Sequence, residues 1–158
     1  MTRNDRIPAV GTSGTGVALH GAISEASMPH QPRALVIDDD QNILSAFHDF
    51  FRREHCAMLS SSGPEEALRV FAGAAVNLVI ADMKEEREPG LALCRKLKEV
   101  RPHVPLIVIT GYPNLVTEED ARGAGAEYYF LKPLELDALR LAVRKCLRGA
   151  LHGAGRPV

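Results

Sequence analysis

The chain has 158 residues, 46% of them hydrophobic and 25% charged, with a formal net charge of −1. That length suits a single core with little left over for a second, and the composition is that of an ordinary globular protein rather than a fibrous or disordered one. Near-neutral charge without a basic tail gives no electrostatic footprint for nucleic acid, and no apolar run approaches the roughly 20 residues that span a bilayer, so neither partner is expected.

Residues 1–31 place Gly11, Gly14, Gly16 and Gly21 among serines, threonines and alanines without sustained periodicity, which predicts a disordered leader. The glycines interrupt any secretory apolar core. Gly11-Thr12-Ser13-Gly14-Thr15-Gly16 imitates a phosphate-binding loop, yet Val17 and Ala18 stand where its lysine and hydroxyl would be. From residue 32 to 151 strand and helix periods alternate, and 152–158 reads as a tail. Apolar residues at Ile43, Leu44, Phe47, Phe50 and Phe51 mark a helix over about 41–54 behind the capping side chains of Asp40 and Asn42. A short strand around 57–60 precedes a helix opening at Pro64 with early acids. Further on, a helix is expected from about Gly90 to Val100, a weak one within Asn114 to Gly125, and a last one whose stripe is Leu134, Leu136, Leu139, Val143 and Leu147, with tail from Gly149.

Between these helices lie apolar runs that each stop at a polar residue. Ala34-Leu35-Val36-Ile37 ends in Asp38-Asp39-Asp40, and Val76 to Ala81 ends in Asp82. Pro105 to Ile109 ends in Thr110, and Tyr128-Tyr129-Phe130-Leu131 ends in Lys132-Pro133. Such runs read as buried parallel strands, and right-handed crossovers then cover both faces of one sheet with helices. In open sheets of this kind ligands bind at the carboxyl ends of the strands, so carboxylates, a hydroxyl and an ammonium are expected to converge there. Cys56, Cys94 and Cys146 are odd in number and widely spaced, which argues against disulfides and zinc and for a reducing cytoplasm.

This ordered set, an acidic pair after the first strand, an aspartate closing the third, a threonine closing the fourth and Lys-Pro after the fifth, resembles the receiver domain of two-component response regulators over about Arg33 to Leu151. The resemblance implies a stand-alone receiver with a flavodoxin-like, doubly wound, five-stranded parallel sheet in strand order 2-1-3-4-5. It implies phosphorelay signalling: Asp82 would be the phosphoacceptor, served by a sensor histidine kinase or a histidine phosphotransfer protein. Magnesium would be held directly by Asp39, Asp82 and the backbone carbonyl of Lys84, and through water by Asp38. Thr110 and Lys132 would contact the phosphoryl group, and Thr110 and Tyr129 would move together as the switch. The protein would be a signalling domain rather than an enzyme. Its output would go to an unidentified downstream protein or through a phosphorylation-dependent homodimer.

Physical chemistry is consistent with the cation and the acceptor. Close carboxylates repel by about 4 kcal/mol at 4 Å and an effective dielectric near 20, which a divalent cation relieves. Carboxylate is a nucleophile for phosphoryl transfer. The loop Met83 to Gly90 departs from the family, with Glu86 and Pro89 where a proline and an acidic residue are usual. Lys84 is placed to pair with the free carboxylate or to shield a phosphoryl group. Two other readings are an adaptor that keeps the fold without phosphate, and a magnesium phosphohydrolase suggested by the Asp-x-Asp of Asp38 and Asp40. The second expects Thr or Val where Asn42 stands.

Overall fold

A computed structural model describes residues 30–153. Most of the expected leader and the last five positions of the expected tail lie outside these residues. The described chain alternates β1 (Arg33–Ile37), α1 (Gln41–Arg53), β2 (Ala57–Ser61), α2 (Pro64–Gly73), β3 (Leu78–Met83), α3 (Arg87–Val100), β4 (Leu106–Thr110), α4 (Glu118–Gly123), β5 (Tyr128–Leu131) and α5 (Leu136–Gly153). The strands form one parallel sheet in the order β2-β1-β3-β4-β5, as the resemblance implied. Its register pairs Ile37 with Ala81 and Met83 with Thr110, so the carboxyl ends of β1, β3 and β4 finish side by side.

Alternation along the central strands divides the core in two. Leu35, Val79 and Leu106 face α2, α3 and α4, where they meet Phe71, Leu91 and Leu97. Val36, Ile80 and Ile109 face α1 and α5, where they meet Phe47, Phe51, Leu139 and Val143. Strands buried on both sides have no polar face to show, which is why they read as continuous apolar runs. Cys56, Cys94 and Cys146 are buried and unpaired, and burial pushes their thiols up, that of Cys56 to about 11. They behave as small hydrophobes.

Asp40 caps α1, its side chain accepting the Asn42 N–H at 2.8 Å. Pro64 opens α2, and Glu66 reaches back to the Ser62 N–H at 2.8 Å. Four expectations need correction. β3 runs one residue past Asp82, because Met83 pairs with Thr110 and buries its side chain. α3 begins at Arg87, three residues ahead of Gly90. Pro89 therefore falls in the first turn, where its missing N–H has no carbonyl to meet. α4 lies within 114–125 as expected, held to six residues by a capping box in which Thr117 and Asp120 bond each other's backbone N–H. α5 continues past Gly149 to Gly153, a glycine costing only about 1 kcal/mol inside a helix. Leu136, assigned to its buried stripe, is 56% exposed on the first turn, while Ala142 and Cys146 complete the stripe instead.

One ion-pair cluster ties α5 to the end of α1. Glu54, with a side chain 6% exposed, accepts Arg144 Nε at 2.7 Å and Arg140 Nε at 2.9 Å. The Arg144 hydrogen bond, against the opposing effect of burial, holds the Glu54 carboxyl below the usual glutamate range. A depressed carboxylate contributes stability that is complete above its unfolded value, near 4.5, and that is lost as pH falls through the lower folded value. Glu54→Gln should therefore cost about 1–2 kcal/mol at pH 7, below the figure for a fully buried pair because the arginines are part-exposed. The cost should shrink in denaturant titrations as pH falls progressively below 4.5 and the wild type loses the same charge. Equal stability of both proteins at pH 7 would contradict it.

Candidate functional site

The carboxyl ends of β1 and β3 deliver Asp38, Asp39 and Asp82 to one edge, and the ends of β4 and β5 bring Thr110 and Lys132 there. Asp38 and Asp82 have side chains 0% and 3% exposed, whereas that of Asp39 is 66% exposed. Two ammonium groups close over them. Lys84 Nζ lies 2.6 Å from Asp82 Oδ2, 3.0 Å from Asp38 Oδ1 and 3.1 Å from Asp39 Oδ1. Lys132 Nζ lies 2.9 Å from the same Asp82 Oδ2. Lys132 is followed by a cis peptide bond to Pro133. Asp40 points away to its helix, though its N–H donates to Asp38 Oδ1 at 3.0 Å.

The electrostatics follow from this packing. Burial lowers the Lys84 pKa, but its bonds to Asp82, Asp38 and Asp39 outweigh that and hold the ammonium above the ordinary lysine range. The same contact holds the exposed Asp39 below the usual carboxylate range. Asp38 is shifted the other way, pushed up by burial and by the neighbouring Asp82 against the pull of the Asp40 N–H and Lys84.

Asp38 Oδ2 and Asp82 Oδ1 are buried and accept no hydrogen bond. Three carboxylates converge on Lys84 as they would on a bound cation. An all-oxygen donor set with two buried oxygens to spare fits a hard divalent ion such as magnesium. Among the described residues no His, Cys, Asp and Glu cluster is drawn together as a ready-made metal centre. The oxygens are directed at the ammonium instead.

Thr110 is fully buried, and its hydroxyl accepts the Tyr112 N–H at 2.9 Å. Tyr129 is half-buried, and its hydroxyl donates to the Val116 carbonyl at 2.6 Å, just ahead of α4. The two switch candidates are thus both tied to the segment between β4 and α4. Sequence reasoning gave no role to Tyr112, whose hydroxyl is raised above the ordinary tyrosine range by a hydrogen bond with Glu85. It also missed Arg87, whose Nη2 bonds Asp120 Oδ1 at 2.5 Å and links the start of α3 to the capping box of α4. The Thr-x-x-Asp spacing was a usable signal for that box. A cavity of about 170 Å³ opens beside the carboxylates between Ser62, Pro64, Glu86 and Pro89.

Fold and site together define an open, doubly wound α/β domain that holds an acidic, lysine-capped cleft at its strand ends. The model of the response regulator receiver domain matches residues 34–144, and the chain belongs to that family of two-component phosphorelay domains. Sporulation initiation phosphotransferase F of Bacillus subtilis is 26% identical over 115 residues, which is 73% of this chain and 93% of that one. Transcriptional regulatory protein GlrR of Escherichia coli K12 is 28% identical over 121 residues, 76% of this chain, which spans only 27% of that protein's length. A solved structure of response regulator TrrA from Thermotoga maritima in complex with Mg2+-BeF is 26% identical, with TM-score 0.66, covering 74% of this chain and all of that one. Receiver domains take phosphoryl groups from histidine kinases or phosphotransfer proteins, and bind magnesium in general. Among the described residues no helix is long and apolar enough to cross a membrane.

Proposed function

We propose that this chain is a phosphorelay receiver that accepts a phosphoryl group on Asp82 with magnesium bound, and passes the change on through protein contacts. The observation that carries the reading is the position of Asp82. Its carboxylate stands at the strand end between two buried or rim carboxylates, with one oxygen clasped by Lys84 and Lys132 and the other buried and unpaired. The Mg2+-BeF complex of the TrrA relative supports it. The comparisons lend nothing to the phosphohydrolase and adaptor readings.

In the reaction, a carboxylate oxygen of Asp82 attacks the phosphorus of a phosphohistidine, the new O–P bond forms as the N–P bond breaks, and the leaving imidazole retains the electron pair and takes a proton. Lys132 lies on the Asp82 oxygen and so neutralises charge on the transferring group. Asp39, Asp82 and the Lys84 carbonyl would hold magnesium directly and Asp38 through water, and the ion would supply further neutralisation when bound. The acyl phosphate adds about −1.5 to −2 of charge, by analogy with other phosphorylated side chains. Thr110 would then exchange its bond with the Tyr112 N–H for one to the phosphoryl group, and Tyr129 would leave the Val116 carbonyl. Three buried unpaired thiols suit a reducing cytoplasm.

Incubation with magnesium and a small acyl phosphate, read by intact mass, should give one phosphoryl adduct per chain. Continuous turnover of a phosphate ester would sink the reading. Thr110→Ala should still take up the adduct, yet amide resonances between 114 and 129 should shift far less than in wild type. Wild-type spectra that do not change on phosphorylation would exclude this switch.

A further inference from the structure

The Lys84 ammonium has three carboxylate oxygens within 3.1 Å, from three different aspartates at the carboxyl ends of two strands. No other lysine in the described residues gathers so many; Lys132 contacts a single carboxylate oxygen. We propose that Lys84 is a built-in counter-ion occupying the cation position, so that a seated Lys84 and a bound magnesium ion exclude one another. This deepens the magnesium-dependent reading above and rests on it.

Three facts carry the proposal. The first is shared ligands: the oxygens of Asp39 and Asp82 that would contact the metal are among those that hold the ammonium, and magnesium requires distances of about 2.0–2.1 Å, shorter than any of these contacts. Two cations cannot lie against the same oxygens without strong repulsion. The second is charge. Three carboxylates and two ammoniums leave the cluster at −1, so the resting site is already nearly neutral. The third is an exit. The Lys84 side chain is 44% exposed, at the first residue beyond β3, and can swing into solvent without crossing the core. Lys132 can remain on Asp82 meanwhile.

The consequence is a closed, metal-free resting state that magnesium must open. Apparent affinity falls by the fraction of molecules already open, so a lysine seated about nine-tenths of the time weakens magnesium binding about tenfold. Removing the side chain should restore that factor. The exposed, unbranched Lys84 thus sets the magnesium concentration at which Asp82 becomes competent.

The test is magnesium titration of the full chain, followed by amide resonances around Asp39, Asp82 and Tyr112. Lys84→Met should bind magnesium about tenfold more tightly than wild type, and Lys84→Arg, which keeps the charge, should stay near wild type. In wild type itself, labelling of lysines by an amine-acylating reagent, mapped by peptide mass, should show Lys84 protected without magnesium and reactive with it. That readout does not depend on the folding of a variant. Equal magnesium affinity in wild type and Lys84→Met, or Lys84 labelling that magnesium leaves unchanged, overturns the proposal while the magnesium reading stands. Absence of any magnesium response in all three proteins overturns both.

Discussion

Asp82→Asn should abolish phosphoryl uptake: no adduct should appear by intact mass under conditions that label wild type fully, a loss of roughly 10⁴-fold or more, as when a nucleophile is removed elsewhere. The amide keeps the shape of the carboxylate and can still accept a bond from Lys84 or Lys132, so the sheet edge should not collapse. Charge bookkeeping points the same way, since the cluster passes from −1 to 0 when one of three carboxylates facing two ammoniums is neutralised. Relief of repulsion with Asp38 should leave thermal stability equal to or above wild type. A residual adduct that maps to Asp38 or Asp39 would show that the cleft has a second competent nucleophile, and an unchanged adduct would refute the assignment of Asp82.

The second large effect is expected at Lys132. Lys132→Met removes the ammonium 2.9 Å from the Asp82 carboxylate while retaining most of the apolar stem. Loss of one well-placed electrostatic donor costs on the order of 10²- to 10³-fold in rate. Adduct formation from an acyl phosphate at saturating magnesium should slow by about that factor. Stability should change less, because Lys84 remains on the same Asp82 oxygen. A wild-type rate in this variant would place Lys132 outside the reaction.

The candidate site residues were legible because each terminates an apolar run, and a run of that kind is what a doubly buried strand must be. Asp38, Asp82, Thr110 and Lys132 sit on successive strand ends by the period of the fold alone. The bounds of α3 were not legible, since Pro89 reads as a breaker until its place in a first turn is known. Nor was the convergence of Lys84 on three carboxylates, which depends on the rotamer of one side chain and the register between β1 and β3. The contact of Glu54 with Arg140 and Arg144 spans 86 and 90 residues, beyond any local pattern. α4 was blurred because its six residues bury little apolar surface of their own, Ala121 alone among them being buried.

That last helix depends on one carboxylate. Asp120 accepts the Thr117 N–H and hydroxyl through one oxygen and Arg87 through the other, and it is held below the usual aspartate range chiefly by the Thr117 N–H. The segment from β4 to β5 gives the core only small side chains apart from Val116, namely Ala121, Ala124 and Ala126, so the Asp120 bonds are a large part of what closes it. In hydrogen-exchange terms its amides would be released by a sub-global fluctuation far cheaper than unfolding, while those of β1 and β3 wait for the whole domain. A signal from the cleft of the kind proposed would then have no large rigid body to displace. It would need only to bias that local opening.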